Sequence, residues 1–264
     1  IAGVIMEPVT STLHPCAAFD NGDPFRVRNW PKEGPSNFIQ KVKAVCHKNS
    51  ALLILDEMIS GFRWHLQGAQ KFFNVEPDIT TFGKGMANGF SVAAIAGKKE
   101  IMELGGITKS GMERTFSIST THGAEMCGLG AFIKCVELYE RLPVIDQLWK
   151  FGAGLIDGIN DISREYGIDR QFYLEGFPCS PNYVAKDRNN NVSMEMRTLF
   201  SQEMIKENVI MPWISLCYSH QDEELEITLN AARKALKVVA EALNGDIKNY
   251  LTGEPVKPVF RKYN

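Results

Sequence analysis

The sequence predicts an α/β fold in two domains, and three features of the chain support this class. Apolar segments of strand length alternate with helical segments through the first half of the chain. The strand segments are apolar at most positions, which is typical of a mostly parallel sheet flanked by helices. Beyond residue 143 the pattern changes to long helices around one β-rich stretch, so we predict a large domain over residues 1–143 and a smaller α+β domain over residues 144–264.

The composition is that of an ordinary globular protein. Of 264 residues, 44% are hydrophobic and 23% are charged, and the formal net charge is −2. This charge gives no electrostatic reason to expect a nucleic acid or a membrane as a partner. The six cysteines are scattered without a C-x-x-C pair, which favours reduced thiols in a cytoplasmic protein over a disulfide framework or a metal site.

The elements of the first domain are predicted from apolar periodicity and from the residues that end each run. Residues 1–6 form an apolar strand, and because the chain opens inside a strand we expect an N-terminal portion to precede it. Residues 9–35, which are rich in proline, form a long loop. The remaining predicted elements are a helix over 36–48 with Ser36 as N-cap and Phe38, Val42 and Val45 on one face, a strand over 51–55, a helix over 66–73, a strand over 79–82, a strand over 91–96, a strand over 115–118 and a helix over 124–140.

The second domain is predicted to contain helices packed around a β-rich stretch. Its last helix is the clearest, because Leu225, Leu229 and Ala232 begin a series that steps alternately by four and three residues. A capping box formed by Ser219 and Asp222 is predicted to start this helix. The other predicted elements are a helix over 144–165, β structure over 172–186, a turn over 188–191, a helix over 193–207 and a strand over 209–218 that Pro212 interrupts.

Two side chains stand out because each follows a predicted strand. Asp56 comes directly after residues 51–55, and Lys84 follows residues 79–82 between two glycines. In parallel sheets, ligands bind beyond the carboxyl ends of the strands, where both residues would lie. Pyridoxal phosphate (PLP) needs a carboxylate that keeps its pyridine nitrogen protonated and a lysine that binds its aldehyde as a Schiff base. We therefore predict that Asp56 and Lys84 contact opposite ends of one PLP ring.

The phosphate of such a cofactor needs hydroxyls and backbone N–H groups, which a helix N-terminus supplies. Ser119, Thr120 and Thr121 directly precede the helix predicted over 124–140 and are candidates for this role. Each signal is weak by itself, since strands that end in Asp-Glu, lysines beside glycines and hydroxyls before helices are all common. Their combination and their order along the chain carry the prediction.

The chain resembles the class III (subgroup II) aminotransferases of PLP-dependent transferase fold type I, and among them the glutamate-1-semialdehyde 2,1-aminomutase group. The resemblance extends over nearly the whole chain, and the combination DE…PD…GK is specific. It is carried by GVIMEP (3–8), LLILDEMISGFR (52–63), NVEPDITTFGKGMANGFSVAAIAGKKEIM (74–102), STTHGAE (119–125) and LCYSHQDEELEITL (216–229).

The resemblance implies roles for individual residues. Lys84 becomes the Schiff-base lysine, Asp56 the partner of the pyridine nitrogen, and Met58 the residue under the ring, where the family usually has Val. Thr121 corresponds to a threonine that binds the cofactor phosphate of the other protomer, which implies a homodimer with shared active sites. The implied activity is PLP-dependent transfer of an amino group on a small-molecule amino, keto or aldehyde substrate, by an aminotransferase or an aminomutase.

Other positions bear on the resemblance less directly. Glu57 and Arg63 match family positions and are interpreted as structural, either as an ion pair or as residues that stabilise the loop. Ile59 stands where many relatives have a Gln that contacts the cofactor, so the resemblance implies no such contact here. The family's N-terminal portion, with further phosphate-binding and ring-stacking residues, is expected to be missing from the sequence.

Two alternative functions fit part of the sequence. LLILDE resembles the Walker B strand of a P-loop ATPase, with Asp56 on Mg²⁺ and Glu57 orienting water, but no G-x-x-x-x-G-K-[ST] loop accompanies it. A non-catalytic or truncated homologue with a structural role is the other alternative. The substrate also stays open, because several arginines are equally suitable for binding a carboxylate, namely Arg114, Arg188, Arg197 and Arg233.

Overall fold

A computed structural model of the protein describes residues 1–9, 37–106, 111, 123 and 125–258. By its internal contacts the chain divides into two units, the first of which ends at Ile145, while the second continues from Asp146. The predicted strand over 115–118 lies outside the described residues, and so does the predicted loop over 9–35 except for Val9.

The first unit is built on a four-stranded sheet in which the strands follow one another in chain order. The first three strands are parallel, and the fourth runs antiparallel to the third. The predicted α/β class with a mostly parallel sheet is therefore confirmed. The strands are β1 (Gly3–Met6), β2 (Leu52–Glu57), β3 (Ile79–Phe82) and β4 (Ala94–Gly97).

Four α-helices of the first unit lie in the described part of the chain: α1 (Phe38–Lys48), α2 (Ala69–Phe72), α3 (Lys99–Met102) and α4 (Met126–Arg141). The N-cap of α1 is Asn37 and not Ser36 as predicted. The Asn37 side chain accepts a hydrogen bond from the amide of Gln40, whose own side chain accepts one from the Asn37 amide. This reciprocal capping box explains why the helix begins at Phe38.

The buried face of α1 also differs from the prediction. Ile39 and Cys46 are its buried residues, whereas Phe38 and Val45 of the predicted face are exposed. The helix is thus rotated by about one residue, or roughly 100°, from the predicted orientation. The observed orientation also places Nε2 of His47 2.9 Å from a carboxylate oxygen of the buried Asp78.

Two element boundaries near the predicted site are set by tertiary contacts. β2 continues beyond residue 55 to Glu57 because it still pairs with β3 there. The helix predicted over 66–73 is reduced to α2, since Gly68, with a φ of +82°, interrupts it. The Glu57 carboxylate then accepts hydrogen bonds from the amides of Ala69 and Gln70 at the start of α2.

The second unit combines a β-hairpin with three long helices: α5 (Val144–Glu165), β5 (Phe172–Phe177), β6 (Ser180–Ala185), α6 (Met194–Lys206) and α7 (Asp222–Asn244). A cluster of buried aromatic rings, Phe172, Tyr183 and Phe200, joins the hairpin to α6. The glycines of α5 allow α7 to approach closely, since a methyl group added at Gly158 would lie 2.6 Å from Leu229.

Two predictions for the second unit are wrong. The segment predicted as a strand over 209–218 is irregular, because Pro212 lacks an N–H and its carbonyl accepts hydrogen bonds from the side chains of Tyr183 and Arg197. The N-cap of α7 is Gln221, which forms a capping box with Glu224, and not Ser219.

Several functions receive no support from the described residues. None of their helices is long and apolar enough to cross a membrane. Within the same ranges, no group of three or more His, Cys, Asp or Glu side chains could hold a metal ion. The described cysteines are free thiols: Cys46, Cys127, Cys135, Cys179 and Cys217.

Candidate active site

The carboxyl ends of β1, β2 and β3 meet at one edge of the sheet, and each has a charged residue within it or within two residues after it. Met6 pairs with Leu55, so Glu7, the next residue, lies in register with Asp56. Asp56 in turn pairs with Thr81 of β3, and Lys84 follows the end of that strand. This edge is where parallel sheets bind ligands.

Asp56 is half-buried, and two hydrogen bonds fix its side chain. Its Oδ1 accepts a 3.0 Å bond from the amide of Met58 and a 3.1 Å bond from the hydroxyl of Thr81. Both bonds go to the same oxygen, and Oδ2 has no hydrogen-bond donor among the described residues. The carboxylate is therefore oriented by the protein while one of its oxygens remains able to accept a bond from a ligand.

Lys84 opens a short 3₁₀ turn over Lys84–Met86 and is exposed. Its φ is +45°, in the left-handed region that costs a residue with a side chain about 1–2 kcal/mol. The turn is closed by the amide of Met86, which donates to the carbonyl of Gly83, and by the amide of Asn88, which donates to the carbonyl of Lys84. Strained backbone of this kind often occurs at functional positions.

Met58 contacts both Asp56 and the residue that precedes Lys84. Its amide is bonded to Asp56, and its thioether end packs on Gly83, where an added methyl group would lie 2.4 Å from Cε and 2.9 Å from Sδ. The backbone of Gly83 is extended, with a φ of −174°, which any residue can adopt. A glycine is favoured here because the Met58 side chain occupies the space that a larger residue would need. Three of the predicted site residues, Asp56, Met58 and Lys84, are thus brought together.

Glu7 belongs to the same edge, although the sequence did not single it out. Burial raises the pKa of its carboxyl, the negative charge of Asp56 raises it further, and the positive charge of Lys84 lowers it. The charges of Asp56 and Lys84 therefore both act on Glu7. The signal that could have identified Glu7 is the one that identified Asp56, namely a carboxylate directly after an apolar strand.

Glu57 is fully buried and stabilises the loop between β2 and α2. Its carboxylate accepts hydrogen bonds from the hydroxyl of Ser60 at 2.9 Å and from the amides of Ala69 and Gln70 at 2.6 and 2.8 Å. Burial raises the pKa of Glu57, and these hydrogen bonds oppose the rise. A carboxylate enclosed in this way does not fit the water-orienting role that a Walker B strand would require.

The remaining candidates either lie outside the described residues or contact residues elsewhere in the chain. Thr121, with Ser119 and Thr120, lies outside the described residues, as does Arg114. The other three arginines contact residues of their own unit. Arg188 donates to the carbonyl of Gly245, Arg197 lies over the ring of Tyr183, and Arg233 forms an ion pair with Glu165.

Sequence comparisons identify relatives of the chain. The family profile of class III aminotransferases matches residues 33–199, more than half of the chain. A 3-aminobutyryl-CoA aminotransferase of Cloacimonas acidaminovorans is 33% identical over 246 residues, and a glutamate-1-semialdehyde 2,1-aminomutase of Francisella tularensis subsp. mediasiatica is 30% identical over 250 residues. The alignments cover 92% and 89% of this chain but 54% and 52% of the relatives, so the chain spans about half of their length.

Solved structures support the same fold. An aminotransferase of Bacillus anthracis superposes with a TM-score of 0.72 at 19% identity, over 90% of this chain and 52% of its own. The FumI protein of Sphingopyxis sp. MTA144, solved in a PLP internal aldimine form, gives a TM-score of 0.69 at 20% identity. This superposition covers 78% of the present chain and 48% of the FumI chain. These likenesses confirm the fold, that of PLP-dependent transferases of fold type I. Taken with the match over residues 33–199, they establish that the chain belongs to the class III aminotransferase family.

Proposed function

We propose that the protein uses PLP to transfer an amino group on a small-molecule amino, keto or aldehyde substrate, and that Lys84 binds the cofactor covalently. The observation that carries this proposal is the cluster of Asp56, Met58 and Lys84 at the carboxyl ends of β2 and β3. Relatives named as an aminotransferase and as an aminomutase support the same chemistry.

The described side chains fit the parts of a PLP ring. Asp56 offers Oδ2, which has no hydrogen-bond donor among the described residues, to a protonated pyridine nitrogen. Met58 offers an apolar surface, and Lys84 offers an exposed primary amine for the aldehyde. Bound PLP supplies an electron sink that weakens the bonds at the substrate carbon bearing the amine.

Each residue then has a defined task. The Asp56 carboxylate holds the proton on the pyridine nitrogen. The Lys84 amine would take the proton from the substrate carbon and return it at a second position. Met58 orients the ring by packing, and its contact with Gly83 keeps it next to the Lys84 turn.

The rest of the site is proposed from the family resemblance. Thr121 would bind the phosphate of a cofactor held by a second protomer, so we expect a homodimer. Residues 1–143 would form the PLP-binding large domain and residues 144–264 the small domain, which the boundary between Ile145 and Asp146 supports. The scattered free thiols favour a cytoplasmic location.

The cofactor proposal is tested by adding PLP to the full chain, and then an amino donor, while recording the visible absorbance. We expect a visible absorbance that stays with the protein after unbound PLP is removed, and that a donor such as glutamate or a 4,5-diamino acid abolishes. Lys84→Ala should keep the fold, measured by circular dichroism, and lose both signals. Lys99→Ala is the matched control, since its side chain is 86% exposed and lies outside the site.

The same assay distinguishes an aminotransferase from an aminomutase, and it can also contradict the proposed role of Lys84. An aminotransferase needs an external amino donor and a separate acceptor, whereas an aminomutase moves the amine within one substrate. A screen of donors and acceptors therefore decides between them. Full turnover by Lys84→Ala would rule out the proposed role of this lysine.

A further inference from the structure

The Lys84 turn depends on contacts from outside itself. Its left-handed backbone is unfavourable for a residue with a side chain, and the hydrogen bonds of the turn join only neighbouring residues, from Gly83 to Asn88. Such a conformation persists only when the surrounding structure stabilises it. If Lys84 is to present its amine at one position, another element must supply that stabilisation.

Tyr139 of α4 makes such a contact. Its Oη donates a 2.8 Å hydrogen bond to the carbonyl of Gly85, the residue directly after Lys84. This bond joins the turn to a helix that is distant in the sequence. It acts on the peptide group between Gly85 and Met86, inside the turn, so its loss would leave the turn with only its own local hydrogen bonds and packing.

Aromatic packing fixes the tyrosine ring in turn. Tyr139 stacks on Phe62 with a centroid distance of 5.5 Å and an interplanar angle of 18°. Phe62 also contacts Phe82, the last residue of β3, at 5.8 Å. The loop after β2, the end of β3 and α4 therefore meet beside the Lys84 turn.

The phenol remains a donor at neutral pH. Burial raises the pKa of Tyr139 above its ordinary value of 10, Cys135 raises it further, and Arg63 opposes part of the rise. The hydroxyl proton is therefore present wherever the enzyme would work.

We propose that Tyr139 is a positioning residue for Lys84, whose turn it keeps closed through the hydrogen bond to Gly85. Its effect on the reaction rests on the function proposed for Lys84, whereas its effect on the turn does not. Tyr139 does not touch the reacting atoms, so the test must detect a change at Lys84 that a general loss of stability would not produce.

Tyr139→Phe removes the hydroxyl and keeps the ring that stacks on Phe62. Hydrogen exchange of the amides over residues 83–90, measured in the full chain without cofactor, should become about fivefold faster, as expected for the loss of one hydrogen bond. Exchange in β2 should stay unchanged. With PLP, kcat should fall about fivefold while KM for the amino donor stays constant, because fewer molecules hold Lys84 in its working position.

Tyr183→Phe is the matched control. Its hydroxyl also donates to a backbone carbonyl, that of Pro212 at 3.0 Å, but in the second unit. It should leave exchange over residues 83–90 unchanged. Unchanged exchange in Tyr139→Phe, or equal acceleration in both variants, would overturn the proposal.

The turnover and exchange measurements can reject the proposed function and the positioning role of Tyr139 independently. If the unsubstituted chain shows no PLP-dependent turnover, the proposed function fails, and the exchange experiment still decides whether Tyr139 keeps the turn closed. If turnover is normal and Tyr139→Phe exchanges like the unsubstituted protein, only the positioning role is rejected. Should Tyr139→Phe lower overall stability, Phe62→Leu provides a second test, since it removes the stacking partner and keeps the hydroxyl.

Discussion

The backbone amide of Met58 donates a 3.0 Å hydrogen bond to Oδ1 of Asp56. The hydroxyl of Thr81 donates to the same oxygen at 3.1 Å. One carboxylate oxygen thus binds the protein, and the other has no hydrogen-bond donor among the described residues. The side chain is held in place by neutral donors, which leaves its negative charge available to a ligand.

Asp56→Asn separates the charge from the hydrogen bonds. The asparagine Oδ1 can still accept both bonds, so we expect the free energy of unfolding to change by less than about 1 kcal/mol. The rate with PLP should fall by about a hundredfold or more, because an amide does not hold the proton on a pyridine nitrogen. Thr81→Val, which removes one bond and keeps the charge, should lose less than about tenfold. Equal rates in Asp56→Asn and the unsubstituted protein would contradict this role.

Gly83 and Met58 should be energetically coupled. Alanine at Gly83 adopts the extended backbone without strain, but its methyl group would lie 2.4 Å from Cε of Met58. We expect Gly83→Ala to fold and to displace the Met58 side chain, which would weaken PLP binding about tenfold. Met58→Val, which shortens the side chain, should make Gly83→Ala less harmful.

A titration of PLP into the four proteins of this double-mutant cycle measures the coupling. Gly130→Ala serves as control, because a methyl group added at Gly130 meets no atom within 4 Å. If Gly83→Ala weakens PLP binding equally in both backgrounds, the packing of Met58 on Gly83 does not shape the cofactor site.

The parts of this site that the sequence predicted are those set by local pattern. The predicted bounds of β3 match the observed ones, because a short run of β-branched and aromatic residues lies there between Pro77-Asp78 and a glycine. Asp56 and Lys84 stand out in the sequence because each follows a predicted strand. Glu7 follows one as well, but only the register of β1 with β2 brings it next to Asp56.

The parts that the sequence did not predict depend on tertiary contacts. The face of α1 could not be chosen, because Phe38 and Val45 have the same helical spacing as Ile39 and Cys46. The observed face buries Ile39 and Cys46 and places His47 beside Asp78, which are tertiary contacts that the sequence pattern does not contain. The contact of Tyr139 with the turn is likewise not predictable, since no sequence pattern indicates that its hydroxyl donates to the carbonyl of Gly85.

Asp78 should stabilise the first unit in a pH-dependent way. Burial alone would raise its pKa, but hydrogen bonds from Lys98, from the amide of Leu53 and from His47 outweigh burial and lower the pKa from 3.8 to about 2. Because the folded pKa lies below the unfolded value, the carboxylate stabilises the fold above about pH 4, and this contribution is lost as the pH falls toward 2. It amounts to about 2 kcal/mol.

Asp78→Asn should therefore lower the free energy of unfolding at pH 7 by about 2–4 kcal/mol, as measured by urea denaturation. The difference from the unsubstituted protein should shrink as the pH is lowered below 4. Glu137→Gln removes an exposed ion pair with Lys134 and should have no measurable effect. A difference between Asp78→Asn and the unsubstituted protein that does not vary with pH would contradict the assignment.

The claim that Lys84 binds PLP is tested most directly by trapping the link chemically. The full chain is incubated with PLP, reduced with borohydride and digested, and the peptides are analysed by mass spectrometry. We predict one pyridoxyl group per chain on Lys84, and none on this peptide when borohydride is omitted. A pyridoxyl group found on other lysines and absent from Lys84 would contradict the account.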